Sequence, residues 1–395
     1  MSYERPFAGL KVVDLSQGVA GPYAAMMLAQ YGANVIKVEP TGEGGDWSRG
    51  LGVRYDDQTA YSIPANLGKR SIALDLKRED GRAVLWRLVQ GADVFMQGFR
   101  PGVIERLGFG YPDVSEREPR IIYLSVSGFG QTGPLAERPA MDPVLQAYTG
   151  LTAENKGADG LPHRIPIIAI DMSTAIYAYS AIATALFARQ HEPRGRHIEA
   201  SLLQGAASLQ VVRMMSSYLE GGTTPPSAPP SGIHETRDGW INITLAREHE
   251  WVGFCTAMEV PSLPADPRFG DRDGRRANEA ALLAIVRPLL GALTLRECSE
   301  KLAAHRIMHE QLNTYIEFLK QPHVAACGAV AWVDHPGVAQ PVPLPNLIGA
   351  APFESGAANA VAPALGQHSA AILREHGFDE REIARLTESG AVQQG

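Results

Sequence analysis

Through the first third of the chain, short apolar runs alternate with segments of helical period. Leu10–Leu15 is apolar except at Lys11 and Asp14, and Val35–Val38, Ser71–Leu76, Val94–Met96 and Ile121–Val126 are of the same type. Runs of this length predict strands covered on both faces. Tyr23–Tyr31 and Arg82–Val89 between them carry helical texture; Pro22 suits the first turn of a helix and Gly32 its stop. This βαβ rhythm predicts an α/β fold with a mostly parallel, Rossmann-like sheet and helices on its faces. The longest apolar segment, 167–187, contains Asp171 and several hydroxyls, which predicts a buried helix and not a membrane span.

The texture changes at Gly221. Gly221–Gly232, rich in Gly, Pro, Ser and Thr, has the composition of a linker. A strand at Trp240–Leu245 and helices near 248–258, 274–291 and 295–305 follow. Pro336–Pro345 has the composition of a return linker, and 369–386 is again helical. The predicted organisation is a large domain of residues 1–222 and 338–395, with a smaller α/β domain of residues 223–337 inserted through the two linkers.

Composition narrows the function. With a net charge of -7 over 395 residues and no Lys/Arg block, nucleic acid is not an expected partner. The polar start Met1–Pro6 does not read as a signal peptide. Cys255, Cys298 and Cys327 show no metal-ligand spacing and fit a reducing cytoplasm. Glu248-His249-Glu250 lacks a second His one turn on and reads as a solvated helix start, so no metal site is expected. The first turn, Gly18-x-x-Gly21 followed by Pro22, departs from the Gly-x-Gly-x-x-Gly of dinucleotide folds. Glu39 then reads as the polar end of a strand, and a nicotinamide-dependent oxidoreductase is a runner-up.

The chemically suggestive residue is Asp171, between Ile167–Ile170 and the helical stretch Met172–Phe187. There it reads as an N-cap whose carboxylate the helix dipole keeps ionised. A positioned, ionised carboxylate is either a plain structural cap or a usable nucleophile.

Several segments taken together resemble the class III coenzyme A-transferases, the family that includes formyl-CoA transferase and carnitine CoA-transferase. They are Leu10–Ser16 with Ala20-Gly21-Pro22, Gly32–Pro40, Gly45-Asp46, Lys69–Lys77, Ala92-Asp93-Val94, Phe99–Gly102, Leu107-Gly108 and Ser127–Gly130. Asp142 with Gln146-Ala147, Asp171-Met172, Thr236-x-Asp238-Gly239-Trp240, His335-Pro336 and Gly366-x-His368 complete the series. The resemblance implies that Asp171 is the nucleophile that carries first an acyl group and then CoA. It implies CoA contacts at Val19, Leu74, Asp75, Lys77, Phe99, Arg100, Arg106, Met141 and Asp142; Lys69 and Arg70 are further candidates on charge alone. Acyl-CoA and a small carboxylic acid are the implied substrates, with no tightly bound cofactor. The implied assembly is an interlocked homodimer, each chain threading a ring formed by the other.

Gly18 and Gly21 are candidates for letting backbone approach the thioester. Val19 stands where formyl-CoA transferase has a glutamine, Pro40 where it has an arginine, and its glycine-rich loop has no counterpart in residues 232–240. Met141 stands where the related α-methylacyl-CoA racemases have a histidine, which favours transfer over racemisation. In the small domain, His234, Arg247, His249 and Trp251 are candidates for holding a distal carboxylate.

Overall fold

The computed structural model describes residues 5–42, 44–157, 159–222 and 227–395; the expectations on Met1–Glu4 and on the linker residues Thr223–Pro226 lie outside them. Two compact units are present, Met1–Met214 with Ala325–Gly395, and Met215–Val324. The boundaries therefore fall at 214/215 and 324/325, against the expected 222/223 and 337/338.

The large unit is built on six parallel strands: β1 Lys11–Leu15, β2 Asn34–Glu39, β3 Arg70–Leu74, β4 Val94–Gln97, β5 Ile122–Ser127 and β6 Arg196–Ser201. Their spatial order is β3-β2-β1-β4-β5-β6, and a closing strand, Val392–Gln393, pairs antiparallel with β3. Successive side chains leave a strand on opposite faces. Val12, Val35, Val94, Met96, Ile122 and Leu124 fall into one core layer, and Val13, Leu15, Ile36, Val38, Ile72 and Phe95 into the other. Both faces are covered, so the strands read as near-continuous apolar runs.

Helix α1, Ala20–Gln30, is buried from Ala20 to Ala29. It starts three residues earlier than the apolar pattern suggests, with Pro22 in the first turn, where no backbone donor is needed. Gly32, at φ +102°, stops it as expected. Helices α2, Glu79–Val89, and α3, Val103–Arg106, follow β3 and β4. Then come α4, Asp142–Tyr148, α5, Ala169–Ala188, and α6, Leu202–Leu209. Among the described residues, α5 is the one helix long and apolar enough to cross a membrane. Its Ile170, Ala175, Ala178 and Ile182 lie in the same core layer as α1.

The stretch Pro336–Pro345 is not simply a linker. Val342–Pro345 pairs antiparallel with Val330–Val333, and Leu344 and Val333 enter the large unit's core. Prolines at 343 and 345 are tolerated because both strands of a two-stranded sheet are edges.

The small unit holds β7 Gly232–Thr236, β8 Gly239–Thr244 and β9 Met308–Gln311 in the antiparallel order β9-β8-β7. Along β8, Ile241 and Ile243 are buried while Trp240, Asn242 and Thr244 are exposed. Helices α7 Glu248–Ala257, α8 Glu279–Gly291 and α9 Leu295–Ala304 contribute the other core residues, Trp251, Phe254, Val286 and Leu302 among them. At the start of α7, the Glu250 carboxylate accepts the N–H groups of Ala246 and Arg247, and Glu248 pairs with Arg275 at 2.9 Å.

Candidate active site

In a sheet of this order, chain connections diverge between β1 and β4. Beyond the carboxyl ends of the strands a crevice opens there, because the following loops turn to opposite sides. A cavity of about 770 Å³ lies at this point. Its walls come from Leu15–Gln17 and Val19–Gly21 at the end of β1 and the start of α1, Gly98–Pro101 after β4, Val126–Gly128 at the end of β5, Ala136, Arg138–Met141 and Val144, and Asp171. Asp171 is the one acidic side chain lining it, and Arg100 and Arg138 are the two cationic ones, among the described residues.

The first loop rests on buried charge. Lys37 Nζ donates to the Ser16 carbonyl and pairs with Asp46 at 2.7 Å. Asp46 Oδ1 accepts the Gly18 and Ser48 N–H groups, each at 2.9 Å. Asp14 accepts the Ser16 N–H at 3.0 Å and pairs with Lys69 at 2.8 Å. Glu39 receives Arg49 through two hydrogen bonds, at 2.7 and 2.8 Å, and Ser71 Oγ at 2.8 Å. Buried ion pairs are tolerable only when their remaining hydrogen-bonding capacity is met, as it is here. Burial works against the Glu39 charge, but Arg49 outweighs it and holds the carboxyl below its ordinary range. For Lys69 burial wins: its pKa is pulled down to about 8, with Asp14 opposing.

These contacts correct three expectations. Lys69 is a structural cation, with Nζ also bonded to the Pro22 carbonyl and Asn66, and is not placed for a phosphate. Glu39 is a buried ion-pair partner and more than a polar strand end. Gly18 gives its space to protein and does not line the cavity, whereas Gly21 does. A Cβ on Gly18, which sits at φ +82°, would lie 2.2 Å from the Trp47 ring, and one on Gly21 would lie 2.4 Å from Ser16 Oγ.

Asp171 is the third residue of α5, not its N-cap. Ile168 occupies the cap position and supplies no side-chain hydrogen bond. The free N–H groups of Ile170 and Asp171 instead donate to Asp142 Oδ2, at 2.7 and 3.1 Å. A carboxylate from α4 thus takes the place at the helix N-terminus that Asp171 was expected to fill. The consequence is electrostatic. Burial, together with the nearby Asp142 charge, pushes the Asp171 pKa up to about 7, so the helix does not hold it firmly ionised.

Val19, Phe99, Arg100 and Met141 join Asp171 in the cavity wall. Leu74 does not: it is 1% exposed, inside the core. Asp75 accepts the Lys77 N–H at 2.9 Å in the loop after β3, and neither residue lines the cavity. Arg106, exposed at the end of α3, packs back toward Gly102, one residue from the cavity-lining Val103. Asp142 is 1% exposed and engaged with backbone. Arg70 pairs with Glu375 at 2.8 Å. In the small unit Trp251 and His234 are buried, His234 beside the Pro230 carbonyl at 2.7 Å, whereas Arg247 and His249 are exposed.

Trp47, Arg138 and Val144 line the cavity without having been singled out, and so does Gln17, which lies two places before Val19 and is not the counterpart of the glutamine of formyl-CoA transferase. Only Arg138 carried a signal, a cation in a loop rich in Gly and Pro; its guanidinium lies 5.5 Å from the centre of the Phe129 ring.

Residues 7–369 match the model of CoA-transferase family III. The chain belongs to this family. Its similarity to acetyl-CoA:oxalate CoA-transferase of Acetobacter aceti is 37% identity over 292 residues, 72% of this chain and 75% of the relative. With human succinyl-CoA:glutarate CoA-transferase it shares 30% over 404 residues, covering 100% of this chain and 91% of the relative. A crystal structure of a CAIB/BAIF family protein from Brucella suis superposes with a TM-score of 0.81 at 30% identity, covering 95% of this chain and all of that one. The protein is a CoA-transferase, whose substrates are CoA thioesters. No group of three or more potential metal ligands occurs among the described residues.

Proposed function

We propose that this CoA-transferase moves CoA from an acyl-CoA to a free carboxylic acid through covalent intermediates on Asp171. The observation that carries this reading is the place of Asp171: among the described residues, the one carboxyl in the wall of the cavity at the sheet's switch point. Its poor hydration favours attack once it is ionised, because less solvent has to be stripped from the oxygen.

A carboxylate oxygen of Asp171 adds to the thioester carbonyl carbon. The C–S bond breaks, leaving an aspartyl mixed anhydride and CoA thiolate. The thiolate attacks the aspartyl carbonyl carbon and expels the donor acid, giving an aspartyl-CoA thioester. The acceptor carboxylate attacks that carbon in turn and releases the thiolate, which takes the acceptor acyl group and frees Asp171. Each addition places negative charge on a carbonyl oxygen. Ala20 and Gly21, in the first turn of α1, lie in the cavity wall, where helix N–H groups suit such an oxyanion.

For CoA, the reading assigns Val19, Phe99 and Met141 to apolar contact and Arg100 and Arg138 to phosphates. Lys77, Asp75 and Arg106 belong to the outer rim. Leu74 contributes only as core, and Asp142 only through the backbone it holds. The acceptor is proposed to be a small dicarboxylic acid, the class named for the oxalate and glutarate enzymes. Racemisation is disfavoured because Met141 stands in the cavity wall and, among the described residues, no imidazole lines it to act as a second acid-base group. A homodimer is proposed; Ile176, Tyr177 and Phe187 leave 53%, 49% and 66% of their surface uncovered on α5, an apolar face suited to a partner.

The test is product mass spectrometry after incubating the protein with acetyl-CoA or succinyl-CoA and a panel of mono- and dicarboxylic acids. The reading expects new acyl-CoA species from dicarboxylic acids and none with Asp171→Ala. Deuterium uptake into 2-methylacyl-CoA from heavy water, at a rate matching any transfer, would contradict it.

A further inference from the structure

We propose that Asp142 and Gln146 of α4 form a clasp that sets the position of the segment 165–171, and with it the aim of Asp171. The inference rests on the proposed role of Asp171 and adds two positioning residues to it.

Neither side chain is free for a ligand. Both are 1% exposed, one turn apart on α4. Asp142 Oδ1 accepts the Gln146 Nε2–H at 2.6 Å, while Oδ2 accepts the N–H groups of Ile170 and Asp171. Gln146 reaches further back along the same strand of chain. Its Nε2 also donates to the carbonyls of Ile165 and Ile167, both at 3.2 Å, and its Oε1 accepts the Ile165 N–H at 3.0 Å. Two side chains thereby bind the backbone at four residues, 165, 167, 170 and 171.

The local sequence explains why the clasp is needed. Pro166 has no N–H to give, and the cap position, Ile168, has no side-chain acceptor. The first turn of α5 would otherwise carry buried, unpaired donors, which cost more than a missing contact. Hydrogen bonds to a carboxylate are short and strong, so the segment is held firmly. The Asp142 charge also faces the neighbouring Asp171 carboxyl, so the residue that aims Asp171 also opposes its ionisation.

Two variants separate these effects. Gln146→Leu removes the contacts at 165 and 167 and keeps the Asp142 charge. In it, hydrogen exchange of the amides in residues 165–171 should speed up at least tenfold relative to wild type. With any donor–acceptor pair the wild type uses, kcat should fall by tenfold or more with little change in KM and no shift of the pH profile. Asp142→Asn keeps an oxygen acceptor and removes the charge; the acid limb of its kcat/KM profile should move to lower pH. The Asp171 amide, still hydrogen-bonded, should exchange less than tenfold faster.

Wild-type exchange rates for 165–171 in Gln146→Leu overturn the clasp, whether or not the protein transfers CoA. An acid limb that stays in place in a folded Asp142→Asn also counts against it. Failure of the wild type to transfer CoA with every acid tried strikes the reading of Asp171 instead and leaves the exchange result standing.

Discussion

At the residue scale, the nucleophile assigned to Asp171 is half protonated near neutrality, since burial and Asp142 push its pKa up to about 7. The rate of acylation should therefore rise with pH through about 7 and level off above it, as read from the burst of free CoA on mixing with acyl-CoA. A profile flat from pH 5 to 9 would contradict the raised value. Linkage gives a second consequence. A carboxyl with a folded pKa above its unfolded value of 3.8 binds more protons in the native state, so its ionisation costs stability as pH rises from about 4 to about 7. Asp171→Asn should therefore stabilise the protein at pH 8 by on the order of 2 kcal/mol, allowing for its partial exposure. The gain should vanish below about pH 4. Chemical denaturation at the two pH values measures both. Asp171 could be picked out from the sequence, but its electrostatics could not: they come first from burial and then from Asp142, 29 residues away along the chain and brought near only by the packing of α4 against α5.

At the scale of elements, the parallel sheet was legible because two covered faces leave unbroken apolar runs in the sequence. β6 escaped notice because Arg196–Ser201 alternates polar and apolar residues at a sheet edge, where no such run is needed. The Pro336–Pro345 stretch misled for the opposite reason, since proline is compatible with an edge strand. Less legible still was the charge beneath the first loop. Glu39 reads as a polar strand end and Lys69 as a CoA contact on charge alone, Lys37 and Asp46 carry no reading of their own, and only the adjacency of β1, β2 and β3 brings these residues to their ion-pair partners. Breaking one pair tests their role. Asp14→Asn leaves the Lys69 cation buried without its anion and should cost about 3–5 kcal/mol in unfolding free energy. A cost under about 1 kcal/mol would mean that the loop does not depend on the pair.

At the scale of the whole molecule, the large unit is assembled from both ends of the chain, with Val392–Gln393 completing its sheet beside β3. A chain that leaves a domain and returns to it suits the interlocked dimer that the sequence resemblance implies, and such a dimer could not separate without unfolding. Tagged and untagged protein mixed under native conditions should show no exchange over hours, even at nanomolar concentration. Ready exchange, or a monomer by light scattering, would count against interlocking and leave the chemistry of Asp171 as it stands.

The covalent role of Asp171 is the central claim, and peptide mass spectrometry tests it most directly. Protein incubated with acyl-CoA and quenched rapidly should carry the mass of CoA, less water, on the peptide containing Asp171, and hydroxylamine should convert that residue to its hydroxamate. Asp171→Ala should show neither product while still binding CoA. A CoA adduct on another residue, or transfer by Asp171→Ala at the wild-type rate, would contradict the account.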